Sequence, residues 1–331
     1  MNMDLALYLL LGISTAAFLL LETGDLGGGV LSLLFRDEDG RYACLRPALP
    51  LADGAELWLL LCCALVAFGL PLFARAMANV FGVHLVLLLL LGLVRFIFTK
   101  IRLSTFSEKR CETADRVRGV CGAAILFLGG HLLAMLLCGS PVDAEGRFSG
   151  QVSAFFRPYA LLGGVCALLS GVLYATPLVL RDAEEGFAAR VKRIQSPLWL
   201  VSLFAAAVFL GWTIALPQFD GAFRRVPVWI ALALAVLGLS QLSALTEQGR
   251  IRAAAVSARV SLAGHVFLFF ALSFPYLMTS ASGDGMDTVT LASALAGKKV
   301  LAILLPSAGG TALALAVFSF LADRRAKRSG I

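Results

Sequence analysis

Charge is scarce in this chain. Of its 331 residues only 15% are Asp, Glu, Lys or Arg, where soluble domains carry about 25%. With 59% apolar residues and a mean hydropathy of +0.87, that shortage excludes an ordinary soluble domain and indicates a polytopic membrane protein. Histidine is nearly absent too, limited to His84, His131 and His265. The seven cysteines (Cys44, Cys62, Cys63, Cys111, Cys121, Cys138 and Cys166) lack metal-ligand spacing and read as small residues of an apolar interior. The start, Met-Asn-Met-Asp, has no basic n-region and no small-residue cleavage site follows, so Leu5–Leu21 is expected to be a retained helix. The net charge is +7, but the basic residues are spread between apolar runs rather than gathered in a patch, which argues against nucleic acid. No loop is long enough for a soluble domain. Residues 35–55, 139–156 and 280–294 read as linkers with turn signals such as Ser140-Pro141 and Gly283-Asp284-Gly285.

What is abundant is long apolar runs. About 20 apolar residues span a bilayer, and nine segments meet that standard: 4–34, 56–78, 80–99, 117–138, 157–180, 197–216, 226–246, 253–279 and 295–322. In lipid the backbone must satisfy its own hydrogen bonds, so all nine are expected to be helices. The expected fold is an all-α integral membrane protein: one four-helix bundle over residues 1–138, and a second bundle plus a peripheral helix over 157–322. Gly163-Gly164, Gly171 and Gly309-Gly310 suit close helix packing. Pro177, Pro275 and Pro306 are expected to kink or end helices. Trp199, Trp212 and Trp229 read as interfacial anchors. With nine spans the termini lie on opposite sides. Placing the tail Arg324-Arg325-Ala326-Lys327-Arg328 in the cytoplasm puts 19 of the 28 Lys and Arg on that side, Arg118 among them, and seven on the other. The asymmetry predicts an outer N-terminus and a cytoplasmic C-terminus.

Against this background the acidic residues of the first three spans stand out. Leu5–Leu21 runs straight into Glu22-Thr23-Gly24-Asp25-Leu26-Gly27-Gly28-Gly29, which puts two carboxylates at membrane depth. Each costs about 2.5–3.5 kcal/mol at a bilayer centre, so such residues mark a purpose. Glu22 and Asp25 are three residues apart and share a helix face. Asp53 and Glu56 open the next span and Arg95 closes the third, so the topology brings all five to the cytoplasmic leaflet. One reading is a hydrated proton path in which Arg95 keeps at least one carboxylate ionised. The plainer reading is a packing ion pair, with Asp53 as N-cap and Glu56 at N3 of a capping box. His84 and His131, at similar depth, could ligate a b-type haem, although hydrogen bonding within the bundle is the simpler role for each histidine.

These residues resemble subunit II of the cytochrome bd-type quinol oxidases. Glu22 to Gly29 is similar to the family's Asp-Gly-Phe-Asp-Leu-Gly-x-Gly. Arg36-Asp37-Glu38-Asp39 continues the likeness, and Asp53-Gly54-Ala55-Glu56-Leu57-Trp58-Leu59 resembles Trp-Asp-Gly-Asn-Glu-Val-Trp-Leu. Arg95 falls where the family ends helix 3 with an arginine, and Phe274-Pro275-Tyr276-Leu277-Met278 is similar to its Phe-Pro element. The resemblance implies a heterodimer in the bacterial cytoplasmic (inner) membrane. The partner, subunit I, would carry b- and d-type haems and the quinol site, oxidise quinol and reduce O2 to water. This chain would bind no haem or metal itself, support assembly and line a cytoplasmic proton path. Asp53 would stand at the entrance of that path, with Asp25, Arg95, Glu22 and Glu56 along it. A structural quinone, lipid contacts and a small accessory subunit are also compatible with the family. The chain departs from the family pattern at Ala52, at Ala55 and in the short segment between helices 6 and 7. The alternative is a proton-coupled membrane transporter using Glu22, Asp25, Asp53 and Arg95 as its coupling site, which the lack of clear inverted repeats disfavours.

Overall fold

A computed structural model describes residues 3–46, 49–105, 107–143, 145–280 and 288–329, with side chains described except at 49–53 and 322–329. The described residues form eleven α-helices: α1 (Met3–Ser32), α2 (Glu38–Leu45), α3 (Leu49–Ala64), α4 (Pro71–Ser104), α5 (Glu108–Cys138), α6 (Pro158–Leu180), α7 (Glu185–Ala215), α8 (Val226–Glu247), α9 (Ile251–Ser273), α10 (Leu291–Ala294) and α11 (Lys298–Ser329). One small antiparallel pair, β1 (Tyr276–Met278) with β2 (Val289–Thr290), lies between α9 and α10. Among the described residues eight helices are long and apolar enough to cross a membrane, and a further apolar stretch, Gly54–Gly69, is shorter. The nine runs expected from hydropathy thus appear as eight full-length helices and one short one.

Several expected boundaries are corrected. The break between the second and third runs falls at Leu70-Pro71, not near residue 79. α3 passes into a π-helical turn (Leu65–Gly69), Leu70 leaves the helical region (φ −131°, ψ 61°), and Pro71 starts α4, where a proline costs no hydrogen bond. Apolar residues continue through the turn, so hydropathy alone could not mark it. Phe81, close to the expected boundary, is the non-helical kink inside α4. The linker 35–55 is largely helical. Asp37 caps α2 by accepting from Gly40 N (3.0 Å), and α3 has begun by Leu49. The Asp53 backbone is therefore inside a helix rather than at the N-cap position that the expected capping box with Glu56 requires. α4, α5 and α7 each extend past the apolar runs, because polar turns at the water boundary still satisfy helical hydrogen bonds. Pro177 and Pro306 lie inside α6 and α11, whereas Pro275 follows the end of α9.

α1 is the hub, packing on α3, α5, α6 and α9, while α11 returns to lie on α3. Glycine makes the close approach at α1 possible. A Cβ at Gly27 would overlap the Gly171 carbonyl oxygen of α6, and one at Gly119 of α5 would sit 2.6 Å from Gly29 O. The largest apolar cluster joins Leu7, Leu11, Leu65, Phe81, Met135 and Leu301, and Tyr8 ties α1 to α9 through Phe270 O (2.7 Å) and Ser273 Oγ (2.8 Å). Gly27→Val should therefore force α1 from α6 and destabilise by about 1–3 kcal/mol. Gly82→Ala, which meets nothing within 4 Å, should be neutral. Thermal melting of the detergent-purified protein distinguishes the two.

Candidate functional site

The interior of the bundle holds a cluster of four charges from three helices. On α1, Glu22 and Asp25 lie on one face; α4 supplies Arg95 and α5 supplies Arg118. Arg95 Nη1 donates to Asp25 Oδ2 (2.5 Å), its Nη2 pairs with Glu22 Oε1, and Arg118 Nη2 donates to Asp25 Oδ1 (2.9 Å). Glu22, Asp25 and Arg118 are buried, and Arg95 is only 15% exposed. Two anions meet two cations, so the cluster is neutral as a whole. Buried charge is tolerated only in such an arrangement, where each ion has a partner and charge-assisted hydrogen bonds.

The two carboxylates are not equivalent. Asp25 accepts from two guanidiniums, one on each oxygen, whereas Glu22 meets Arg95 alone. Asp25 is thereby the more fully compensated of the two.

A second neutral cluster sits at the end of the bundle where α1 and α4 finish. Asp115 of α5, fully buried, pairs with Arg102 Nε (3.1 Å) and Arg41 Nε, the latter at 3.6 Å and too long for a hydrogen bond. Arg102 also reaches Glu38 (3.3 Å) and Cys111 Sγ (3.0 Å). Asp115 and Arg118 are three residues apart on α5, so one helix face carries a member of each cluster. Beside them Asp37 accepts from Arg190 at 2.5 and 3.2 Å, and this guanidinium holds its carboxyl down at about 2.

Of the five residues singled out from sequence, Glu22, Asp25 and Arg95 are in direct contact. Glu56 is exposed on α3 and makes no ion pair within 4.0 Å among the described residues. Asp53 has its backbone inside α3, but its side chain lies outside the described residues. Arg95 is not at the end of its helix: α4 continues through Ser104. Sequence reasoning missed Arg118, counted among the loop charges, and also Asp115, Arg41 and Arg102. A signal was present in the Asp115/Arg118 spacing, which puts opposite charges on one helix face at the start of an apolar run.

The histidines hold hydrogen bonds within the bundle. His84 and His131 stack with centroids 5.2 Å apart and planes 16° apart, and each Nε2 faces a backbone oxygen, Leu128 O at 3.0 Å and Phe155 O at 2.7 Å. A carbonyl only accepts, so each Nε2 carries a proton. His265 Nδ1 lies 2.8 Å from Ser261 O. Among the described residues no group of three or more His, Cys, Asp or Glu is placed to hold a metal ion.

An all-helical, multi-pass architecture with a neutral ion cluster buried between its first helices defines the class as an integral membrane protein with an internal polar site. The chain matches the family described as Cytochrome bd terminal oxidase subunit II over residues 3–322, and it belongs to that family. It is 24% identical over 303 residues to Cytochrome bd ubiquinol oxidase subunit 2 of Bacillus subtilis (strain 168), covering 90% of this chain and 88% of that protein. In fold it is similar to a chain in the structure of bd oxidase from Geobacillus thermodenitrificans, with a TM-score of 0.78, 15% identity and 98% of each chain covered. Membership places the chain in a respiratory oxidoreductase complex.

The ion cluster carries a stability prediction. Asp25→Asn leaves Arg118 buried without its counter-charge and should cost about 3–5 kcal/mol. Glu56→Gln, on an exposed side chain, should change stability by less than about 0.5 kcal/mol. Melting temperatures of the two variants in one detergent check the ordering.

Proposed function

We propose that this chain is the haem-free subunit of a quinol-oxidising, oxygen-reducing complex, and that its Glu22/Asp25/Arg95/Arg118 cluster is the inner part of a proton-uptake path to the partner subunit. The observation that carries this reading is Arg95 bridging Glu22 and Asp25 inside the bundle. A packing ion pair alone would need one carboxylate. Here a second is retained at membrane depth with weaker compensation, which is the condition for a group that exchanges protons. In this reading Asp25 is held between two guanidiniums, and Glu22 is the carboxylate that loads and releases. Asp53 and Glu56, on α3 beside α1, are the entrance groups.

In this reading the b- and d-type haems and the quinol belong to the partner, subunit I, which couples quinol oxidation to reduction of O2 to water. The chain's own residues position and supply protons and brace the partner during assembly. A structural quinone, lipids and a small accessory subunit are compatible additions. α3 with its π turn, Leu49 to Gly69, is about 31 Å long and makes the ninth crossing. The crossings fall into a bundle over residues 1–138, and a second bundle with a peripheral helix over 157–322. The distribution of Lys and Arg orients the bacterial inner-membrane protein with a periplasmic N-terminus and a cytoplasmic C-terminus. Family membership along the whole chain does not favour the transporter alternative.

Glu22→Gln should lower oxygen-consuming turnover by about 10²-fold, the scale of a lost acid–base group, while Glu22→Asp should retain most of it. The haem spectrum of the complex and its melting temperature should be unchanged in both. Normal turnover in Glu22→Gln would refute the proton role of this residue.

A further inference from the structure

Unlike Arg95 and Arg118, Arg259 has no acidic partner among the described residues. It lies on α9, eight residues in from Ile251, which is about 12 Å along the helix. It is exposed and makes no ion pair or hydrogen bond among the described residues. Beneath it a crevice of about 20 Å3, room for one water-sized group, is lined by Thr23 and Gly24 of α1, Tyr174 and Leu178 of α6, and Ala255 and Leu262 of α9. The nearby carboxylates on α1, Glu22 and Asp25, are already held by Arg95 and Arg118.

A guanidinium at this depth needs a counter-charge, and the described residues supply none. We propose that Arg259 binds the phosphodiester of an anionic phospholipid lying against α9, with one phosphate oxygen directed at the water-sized crevice between α1, α6 and α9. Three features argue for that occupant. The side chain is long enough to reach from its turn toward the headgroup level at the Ile251 end of α9. Arg252 is seven residues away on the same face and exposed, and Arg250 adjoins it, so the same end of the helix is basic without acidic neighbours on it. Flanking the arginine, Val256 (58% exposed) and Val260 (37%) offer an apolar track for an acyl chain. Arginine matches phosphate in a bidentate manner that lysine does not. The proposal does not depend on the proton path, and its test does not read oxidase activity.

The test uses the full chain, in the complex in which it purifies, reconstituted in nanodiscs of mixed phosphatidylglycerol and phosphatidylcholine. Lipid retained after mild delipidation is then counted by mass spectrometry. The native protein should retain phosphatidylglycerol preferentially, Arg259→Gln about fivefold less, and Arg259→Lys an intermediate amount. Arg116→Gln, which removes an exposed charge elsewhere, should match the native protein. Unchanged retention in Arg259→Gln overturns the proposal. So does release of the lipid by excess inorganic phosphate, which would make this a free-anion site, or a partner-subunit carboxylate found on Arg259 in the assembled complex.

Discussion

Arg95 is the interaction around which the first half of this protein is arranged. A guanidinium from α4 reaches into the bundle and takes both acidic residues of α1, and Arg118 of α5 completes the group. Removing Asp25 leaves Arg118 without its counter-charge in a low-dielectric interior, where the penalty is several kcal/mol. The three helices therefore cannot slide or separate independently. The glycines of α1 are the geometric counterpart of this constraint. α1 approaches α5 and α6 closely enough for side chains as short as aspartate to meet their partners, because no Cβ stands between the backbones at Gly27, Gly119 and Gly171.

The same arrangement leaves the two carboxylates unequally compensated, with two guanidiniums on Asp25 and one on Glu22, and the proposed proton role rests on that difference. A neutral cluster in which every member was equally paired would brace the bundle and do nothing else. The second cluster, around Asp115, is closer to that purely structural type. It ties α2 and the end of α4 onto α5, closes the bundle at the end where the basic residues concentrate, and leaves only Glu38 partly open to water.

Much of the fold was legible in the sequence because the bilayer imposes a length and a composition on each crossing. Eight of the nine expected runs are long apolar helices, and the ninth is short. What hydropathy could not register was chain reversal inside an apolar stretch, as at Leu70-Pro71, or polar helix outside the bilayer, as in α2. Glu22, Asp25 and Arg95 were visible as candidates because charge inside an apolar run is costly and therefore conspicuous. Arg118 and Asp115 were not, because each stands near a run's edge, where charge is ordinary, and only three-dimensional packing turns them inward. The likeness to the oxidase subunit, readable from the motifs between residues 22 and 95, matches the family over residues 3–322. Asp53 was expected to cap a helix that in fact begins earlier, at Leu49.

The central claim is that this chain contributes charge placement and protons to a complex whose redox chemistry lies in a partner. Gentle solubilisation of native membranes, capture of this chain and a reduced-minus-oxidised spectrum test it directly. The account predicts a stoichiometric complex with a larger membrane protein that shows b- and d-type haem bands, and no haem absorbance from this chain once it is separated. Haem that stays with the isolated chain, or capture of the chain without any haem-bearing partner, would contradict it.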